Sequence, residues 1–269
     1  MSIFELVQHS RFPDEYMVCK NTGLHFYKKA VERQYSDSYF LEEFKSQYNK
    51  TYYEDEENLR ALARKRLKVL SKFTVPSRSS ILEIGSAAGF FLDEAQKLRF
   101  KVKGVEISRS ETNYAKGMGL DVIESSFLEF ESNETFDCIC AFFVIEHFRD
   151  QETVWKKISS LLAPGGLLFL ALPSLHGPSF ETNPKAWFET HPTDHFVDYS
   201  PKSIERVMQK FSMNLVWKKP MSYHPSRAMN WRGKFPFRKI YNNLADLSSY
   251  GDTIQVIGKK NEVFRTKST

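Results

Sequence analysis

The chain has 269 residues, 41% hydrophobic and 14% aromatic, and a formal net charge of +5. That supports a sizeable core in one large domain, or one domain with an appendage, and the charge is that of an ordinary solvated surface rather than of a nucleic-acid binder. Three cysteines (Cys19, Cys138, Cys140) make no even disulfide framework, no apolar run is long enough to span a membrane, and the first fifteen residues lack a signal-peptide pattern, so a soluble cytoplasmic protein is expected.

Residues 1–56 read as an N-terminal cap and residues 57–269 as the main domain. In the cap, Tyr16–Phe26 predicts two short strands around an Asn21-Thr22-Gly23 turn. Cys19 stands three positions before Thr22, where a zinc ribbon would carry a second cysteine. That cysteine is absent, so no metal is expected and Cys19 reads as a small core residue. Tyr35–Phe40 and Tyr48–Tyr53 concentrate tyrosines, which suits a packed cap or a lid closing over a pocket.

Leu59, Ala63, Leu67 and Leu70 repeat at helical spacing over residues 57–73, and Pro76 ends the pattern. Ser80–Ile84 predicts a strand, Gly85–Gly89 a small-residue turn, and Phe91, Ala95 and Leu98 one face of a helix. Such a turn lets a ligand approach the backbone closely, but the G-x-G-x-x-G spacing of dinucleotide binders is missing. Glu83, at the buried end of its strand, requires a partner. Phe100–Val105 is a second strand running into Glu106, about twenty residues after Gly85. At the ligand edge of a parallel sheet, an acid so placed accepts both hydroxyl protons of a ribose.

Residues 108–117 follow as a helix and Leu120–Ile123 as a short strand before Ser126 and Phe127. Phe136–Val144 is a nearly continuous apolar run, as expected for a central strand covered on both faces. After Glu146 and His147 comes a helix with Val154, Ile158 and Leu161 on one face. Ala163–Gly166 reads as a turn and Leu167–Leu172 as a strand. Residues 174–199 read as a long polar and aromatic loop bearing His191, Asp194, His195 and Tyr199, and loops of that length are usually functional. Ser200-Pro201 opens another helix, and Asn214–Trp217 and Thr253–Ile257 close the sheet. Trp231–Lys239 is a basic, aromatic insert, read as a surface or substrate-side excursion rather than a nucleic-acid patch. Alternating strands and helices predict an α/β fold on a parallel sheet.

The stretch from Ser80 to Ser174 resembles the class I S-adenosylmethionine-dependent methyltransferases. Leu82-Glu-Ile-Gly-Ser-Ala-Ala-Gly89 is similar to their first motif, Val105-Glu106 to the acidic end of their second strand, and Phe136–His147 and Leu161–Leu168 to later motifs. His191–Ser200 is similar to the substrate-side segment of small-molecule members, and Cys19…Gly23-Leu-His-Phe26 to a zinc-ribbon prefix with its ligands lost. The resemblance implies a Rossmann-like sheet with an antiparallel C-terminal strand and helices on both faces, a cofactor half over 76–174 and a substrate-side half over 175–269. It implies S-adenosylmethionine as cofactor and S-adenosylhomocysteine as product. By position, Glu83 orders the loop through backbone N–H groups near the cofactor's amino group. The backbone of Gly85, Ser86, Ala87 and Gly89 faces the methionine moiety, with Phe90 and Phe91 following. Glu106 binds the ribose, Ile107, Ser126 and Phe127 border the adenine, and Phe142 lies on the sulfonium side. Ser126 departs from the aspartate often found there, and a hydroxyl binds the adenine amino group more weakly than a carboxylate.

A sulfonium methyl is already electrophilic, so the protein must align a nucleophile and exclude water. An oxygen or carbon nucleophile also loses a proton, and His147, His195, His191 and Tyr199 are the candidate groups for that. The expected reaction is O- or C-methylation of a small molecule, with no nucleic-acid or membrane partner. The alternatives are RNA or protein methylation, a non-catalytic cofactor-binding protein, and a nicotinamide dehydrogenase, against which the missing glycines and Glu83 argue.

Overall fold

The structure is a computed structural model that describes residues 2–32, 51–222 and 236–262. The described chain forms two compact units, one of residues 51–141 and 160–167, the other of residues 2–32, 142–159, 168–222 and 236–262. The N-terminal strands are grouped in one unit with the C-terminal half. Residues 35–40, 48–50 and 231–235, which carry most of the lid and basic-insert expectations, lie outside the described residues.

In the first unit, helix α1 (Glu56–Leu70) has acidic residues in its first turn and buries Ala63, Leu67 and Leu70, an apolar stripe of helical period. Strand β4 (Ser80–Ile84) buries Ile81, Leu82, Glu83 and Ile84 and pairs in parallel with β5 (Lys101–Glu106) and β7 (Phe136–Phe142). A strand flanked on both edges and covered on both faces is apolar throughout, which makes Glu83 conspicuous. Helix α2 (Phe90–Lys97) follows β4, and it stops before Leu98, which is exposed and not on its apolar face. Helix α3 (Arg109–Gly117) starts at Ser108, whose hydroxyl accepts from the Glu111 N–H, and β6 (Val122–Glu124) pairs in parallel with β5. The ends of β4 and β5 thus lie side by side, Glu83 registered on Gly104 and the Gly85 N–H donating to the Val105 carbonyl.

The second unit contains strands β1 (Leu6–Gln8), β2 (Tyr16–Cys19) and β3 (His25–Tyr27), with the expected turn between the last two. They extend antiparallel onto β9 (Val197–Asp198), giving a four-stranded sheet β1-β2-β3-β9. The same unit holds helix α4 (Gln151–Leu161, up to Ser159), most of β8 (Leu162–Pro173), helix α7 (Pro201–Lys210), and the antiparallel pair β10 (Met213–Pro220) and β11 (Thr253–Lys260). The turn expected at Ala163–Gly166 is instead the start of β8, with Gly165 in the left-handed region. The long loop expected over 174–199 is also corrected. It contains helices α5 (Pro178–Thr182) and α6 (Pro184–Glu189), each begun by a proline that fixes the first helical φ, and then β9. A final helix, α8 (Phe237–Ser248), was not expected from the sequence.

In the first unit the strands lie in the order β7-β4-β5-β6, and in the second in the order β10-β11-β8. Strands β4, β5, β6 and β7 are parallel, and the C-terminal strand runs antiparallel to β10. Among the described residues, no helix is long and apolar enough to cross a membrane.

Candidate active site

The turn after β4 is built from left-handed backbone. Gly85, Ala87 and Gly89 have φ of 68°, 45° and 81°. For alanine that region costs about 1–2 kcal/mol, so the fold must hold Ala87 there. Glu106 does so: its Oε2 accepts the Ala87 N–H at 2.8 Å, while its Oε1 accepts the Ser108 N–H at 2.8 Å. The carboxylate tying this loop is therefore Glu106, not Glu83 as the motif comparison implied. The Glu106 carboxylate still has a lone pair to offer a ligand. Burial pushes its pKa up, and the N–H groups of Ser108, Ala87 and Ile107 oppose the shift.

Glu83 is buried, and its Oε2 accepts no hydrogen bond. Burial pushes its carboxyl well above the usual range, against the pull of Arg66 and with the push of Glu106. Arg66, itself buried on α1, is brought down to about 10 by burial despite Glu83. Tyr52 feels Glu83, Glu111, Glu106 and Arg66 together, and its ring stacks on Phe90 at 5.6 Å. Three acids, Glu83, Glu106 and Glu111, thus share this corner with one guanidinium. Tyr53 closes the same edge, donating to Glu111 Oε1 at 2.7 Å.

The second unit gathers a different set. Glu146 and His147 lie in a 3₁₀ turn (Ile145–His147) just after β7, and the Gln151 side-chain amide donates to the carbonyls of Ile145 and Phe148. His147 Nδ1 lies 3.2 Å from Asp194 Oδ2 and 3.2 Å from the Asp194 carbonyl oxygen. Burial alone would lower its pKa, but Asp194 and Glu146 outweigh burial and raise it. The His195 ring stands edge-on to His147 at 4.6 Å and is brought down to about 4 by burial and by His147. Glu146 is fully buried and lifted to about 7 by burial, with His147 opposing. Behind them His191 Nε2 contacts Asp198 Oδ2 at 2.8 Å, and the Tyr16 hydroxyl donates to that oxygen at 2.6 Å.

A methyltransferase-domain family model matches residues 55–217, more than half of the chain. The chain belongs to that family, the class I S-adenosylmethionine-dependent methyltransferases. Over 100 residues (34% of this chain, 28% of the relative) it is 34% identical to a probable (S)-tetrahydroprotoberberine N-methyltransferase of Papaver bracteatum. Over 166 residues (56% and 64%) it is 25% identical to a ubiquinone biosynthesis O-methyltransferase of Rhodopseudomonas palustris. The chain thus spans less than two thirds of the length of either relative. A methyltransferase structure from Archaeoglobus fulgidus shares the fold with a TM-score of 0.57 at 18% identity, covering 83% of this chain and all of that one. Magnesium protoporphyrin IX methyltransferase of Synechocystis, solved with S-adenosylhomocysteine bound, does so with a TM-score of 0.56 at 9% identity, covering 83% and 97%.

The first unit fits the family's cofactor, S-adenosylmethionine. The orphaned Glu83 oxygen suits a cationic group, Glu106 retains a lone pair at the end of β5, and the left-handed turn exposes backbone. Gly89 shows why the turn keeps a glycine: a Cβ there would come within 2.6 Å of Leu120 Cδ1 and 3.1 Å of the Ala115 Cβ. Gly89→Ala is expected to lower stability by about 2 kcal/mol, from left-handed strain plus overpacking. Urea unfolding checks this, and an unchanged midpoint would refute it.

The remaining expected residues are placed as follows. Ser86 and Phe90 are buried beside the turn, Phe91 is buried on α2, and Ile107 is exposed just after β5. Phe127 is buried, whereas Ser126 caps its own turn, donating to Glu129 Oε2 and accepting from the Glu129 N–H. Phe142 packs edge-on against Phe169 at 5.4 Å. His147 and His195 are brought together. Tyr199 is not a group with a proton to spare: it is fully buried, donates to Gln151 Oε1 at 2.7 Å and accepts from Trp155 Nε1 at 3.2 Å. His191 is likewise enclosed, its ring between the Pro192 carbonyl and Asp198. Tyr199→Phe is expected to cost about 1–3 kcal/mol of stability, because it strands two buried polar groups, and to leave S-adenosylhomocysteine affinity unchanged. Lost turnover at full stability would return Tyr199 to the catalytic set.

Sequence reasoning missed Arg66, Glu146 and Asp194 as members of these clusters. A carboxylate between Ile145 and Phe148 was the available signal for Glu146.

Proposed function

We propose that this chain transfers the methyl group of S-adenosylmethionine to a hydroxyl oxygen of a small molecule. When bound, the cofactor supplies an electrophilic methyl on a sulfonium. The chain's own residues bind and orient it: Glu106 takes the ribose hydroxyls, the Gly85–Gly89 backbone faces the methionine part, and Glu83 answers its positive charge. The observation that carries the oxygen preference is His147 held at Nδ1 by Asp194, with neutral His195 edge-on beside it. An imidazole oriented by a carboxylate, its other nitrogen bearing a lone pair, can take the proton that an O–H acceptor must lose.

N-methylation is the second reading. It is favoured by the buried carboxylates Glu146, Asp194 and Asp198, which suit a basic acceptor, and by the likeness to an N-methyltransferase.

Calorimetry with S-adenosylmethionine, S-adenosylhomocysteine and NAD tests the cofactor, and tighter NAD binding would sink it. Labelled methyl transfer to matched panels of phenols and amines tests the acceptor. Product from the phenols is expected, and product from the amines alone would replace the first reading with the second.

A further inference from the structure

We propose that Glu146, His147 and His195 form a site for a divalent transition-metal ion. Each offers one ligand atom, and the three atoms lie within 4.8 Å of one another. Ligand atoms of a tetrahedral site with bonds of about 2.0–2.2 Å stand roughly 3.5 Å apart, so closing on an ion takes only a small inward movement.

Glu146 supplies an independent observation. It is 0% exposed, and neither carboxylate oxygen has a hydrogen-bond partner. A buried carboxyl without donors is costly, and a cation is one of the few things that satisfies both oxygens. Asp198 Oδ1, in the adjoining group with His195, is buried and unpartnered as well.

The surroundings are those of a prepared ligand set. Asp194 holds His147 Nδ1, so the tautomer with its proton there puts the lone pair on Nε2; carboxylate–histidine–metal arrangements use the same device. The Phe196 N–H donates to the Glu146 carbonyl at 2.8 Å, which locks the turn bearing Glu146 and His147 to the segment bearing His195. Two imidazoles and one carboxylate select zinc, cobalt, iron or manganese over calcium or magnesium. The expectation of no metal, drawn from the missing cysteines of the N-terminal ribbon, does not bear on this cluster.

Such an ion would also acidify a hydroxyl bound to it. In the ion-loaded chain His147 Nε2 is a ligand and no longer the base, so the acceptor's O–H proton would pass to solvent and the oxygen would stay on the metal as the nucleophile. That step rests on the proposed O-methylation; ion binding does not.

The test uses the full chain stripped with chelator and titrated with Co²⁺, read by visible d–d absorption and by metal analysis. One Co²⁺ per chain, displaced by Zn²⁺, is expected. Asp194→Asn should weaken binding by about 10- to 100-fold, and Glu146→Gln or His195→Ala should abolish it. Circular dichroism and S-adenosylhomocysteine binding, which reads the other unit, confirm that each variant is folded. Absence of Co²⁺ binding, or binding that survives both Glu146→Gln and His195→Ala, overturns the site. If it is overturned while wild-type protein still methylates phenols, the proposed function stands; failure of wild type to bind S-adenosylhomocysteine strikes that function instead.

Discussion

Glu106→Ala is expected to weaken S-adenosylhomocysteine binding by about 1–3 kcal/mol, a Kd ratio of roughly 5 to 150. Two effects add. The variant loses charge-assisted hydrogen bonds to the ribose, and it loses the acceptor that holds Ala87 in left-handed backbone. The stability cost should be smaller than the affinity cost. Stranding the Ala87 and Ser108 N–H groups is unfavourable, but burial already raises the Glu106 pKa, so removing the carboxylate also removes a desolvation penalty. Glu106→Gln is not a conservative control here. Both oxygens accept backbone N–H groups, and an amide NH₂ would face one of those donors. Calorimetry on both variants, beside thermal melts, separates the two effects. An unchanged Kd for Glu106→Ala would remove this residue from the cofactor site.

How much of this was legible beforehand depended on how far apart the interacting residues stand. Strand β4, the small-residue turn, α2 and the acidic end of β5 are contiguous, and each announces itself by local pattern: apolar run, glycine spacing, then helical period. Glu106 was therefore readable as the acid that ends the second strand, because a carboxylate there has a fixed place in this topology. What Glu106 does to Ala87 was not readable, since the motif alone cannot say which of two acids caps the loop.

Arg66 was hidden in a helix rich in surface cations. Only packing distinguishes it from Arg64, which is exposed and paired with Glu57, or from Arg60, which bridges Glu56, Asp93 and Glu94 over the Phe90 ring. The N-terminal segment was harder still. Its Tyr16 bonds Asp198 across 182 residues of sequence, and β3 pairs with a strand of only two residues inside what read as loop. Strands so short carry no periodicity, so neither the pairing nor the enclosure of His191 had a signal.

Glu83→Gln is expected to act in opposite directions on stability and on binding. In the folded chain the Glu83 carboxyl titrates well above its unfolded value. Between those two values the folded state holds a proton that the unfolded state has lost, so this group's contribution falls as pH rises through the window. The variant does not titrate. Its cofactor-free melting temperature should exceed wild type at pH 7–8, and the gap should close toward pH 4.

The competing effect is the loss of Glu83 as counter-charge to buried Arg66. It should be the smaller effect, because burial outweighs mutual attraction at both partners: the acid is raised and the guanidinium lowered. A melting temperature several degrees below wild type would show that attraction wins. Binding should move the other way, since the cationic cofactor loses an ionised partner. A cation also favours the ionised carboxyl, so wild type should release part of a proton on binding S-adenosylmethionine. The calorimetric enthalpy should then vary with the ionisation enthalpy of the buffer in wild type and not in Glu83→Gln. An identical buffer dependence in the two proteins would place the cofactor's charge elsewhere and leave Glu83 a buried acid with no ligand to answer.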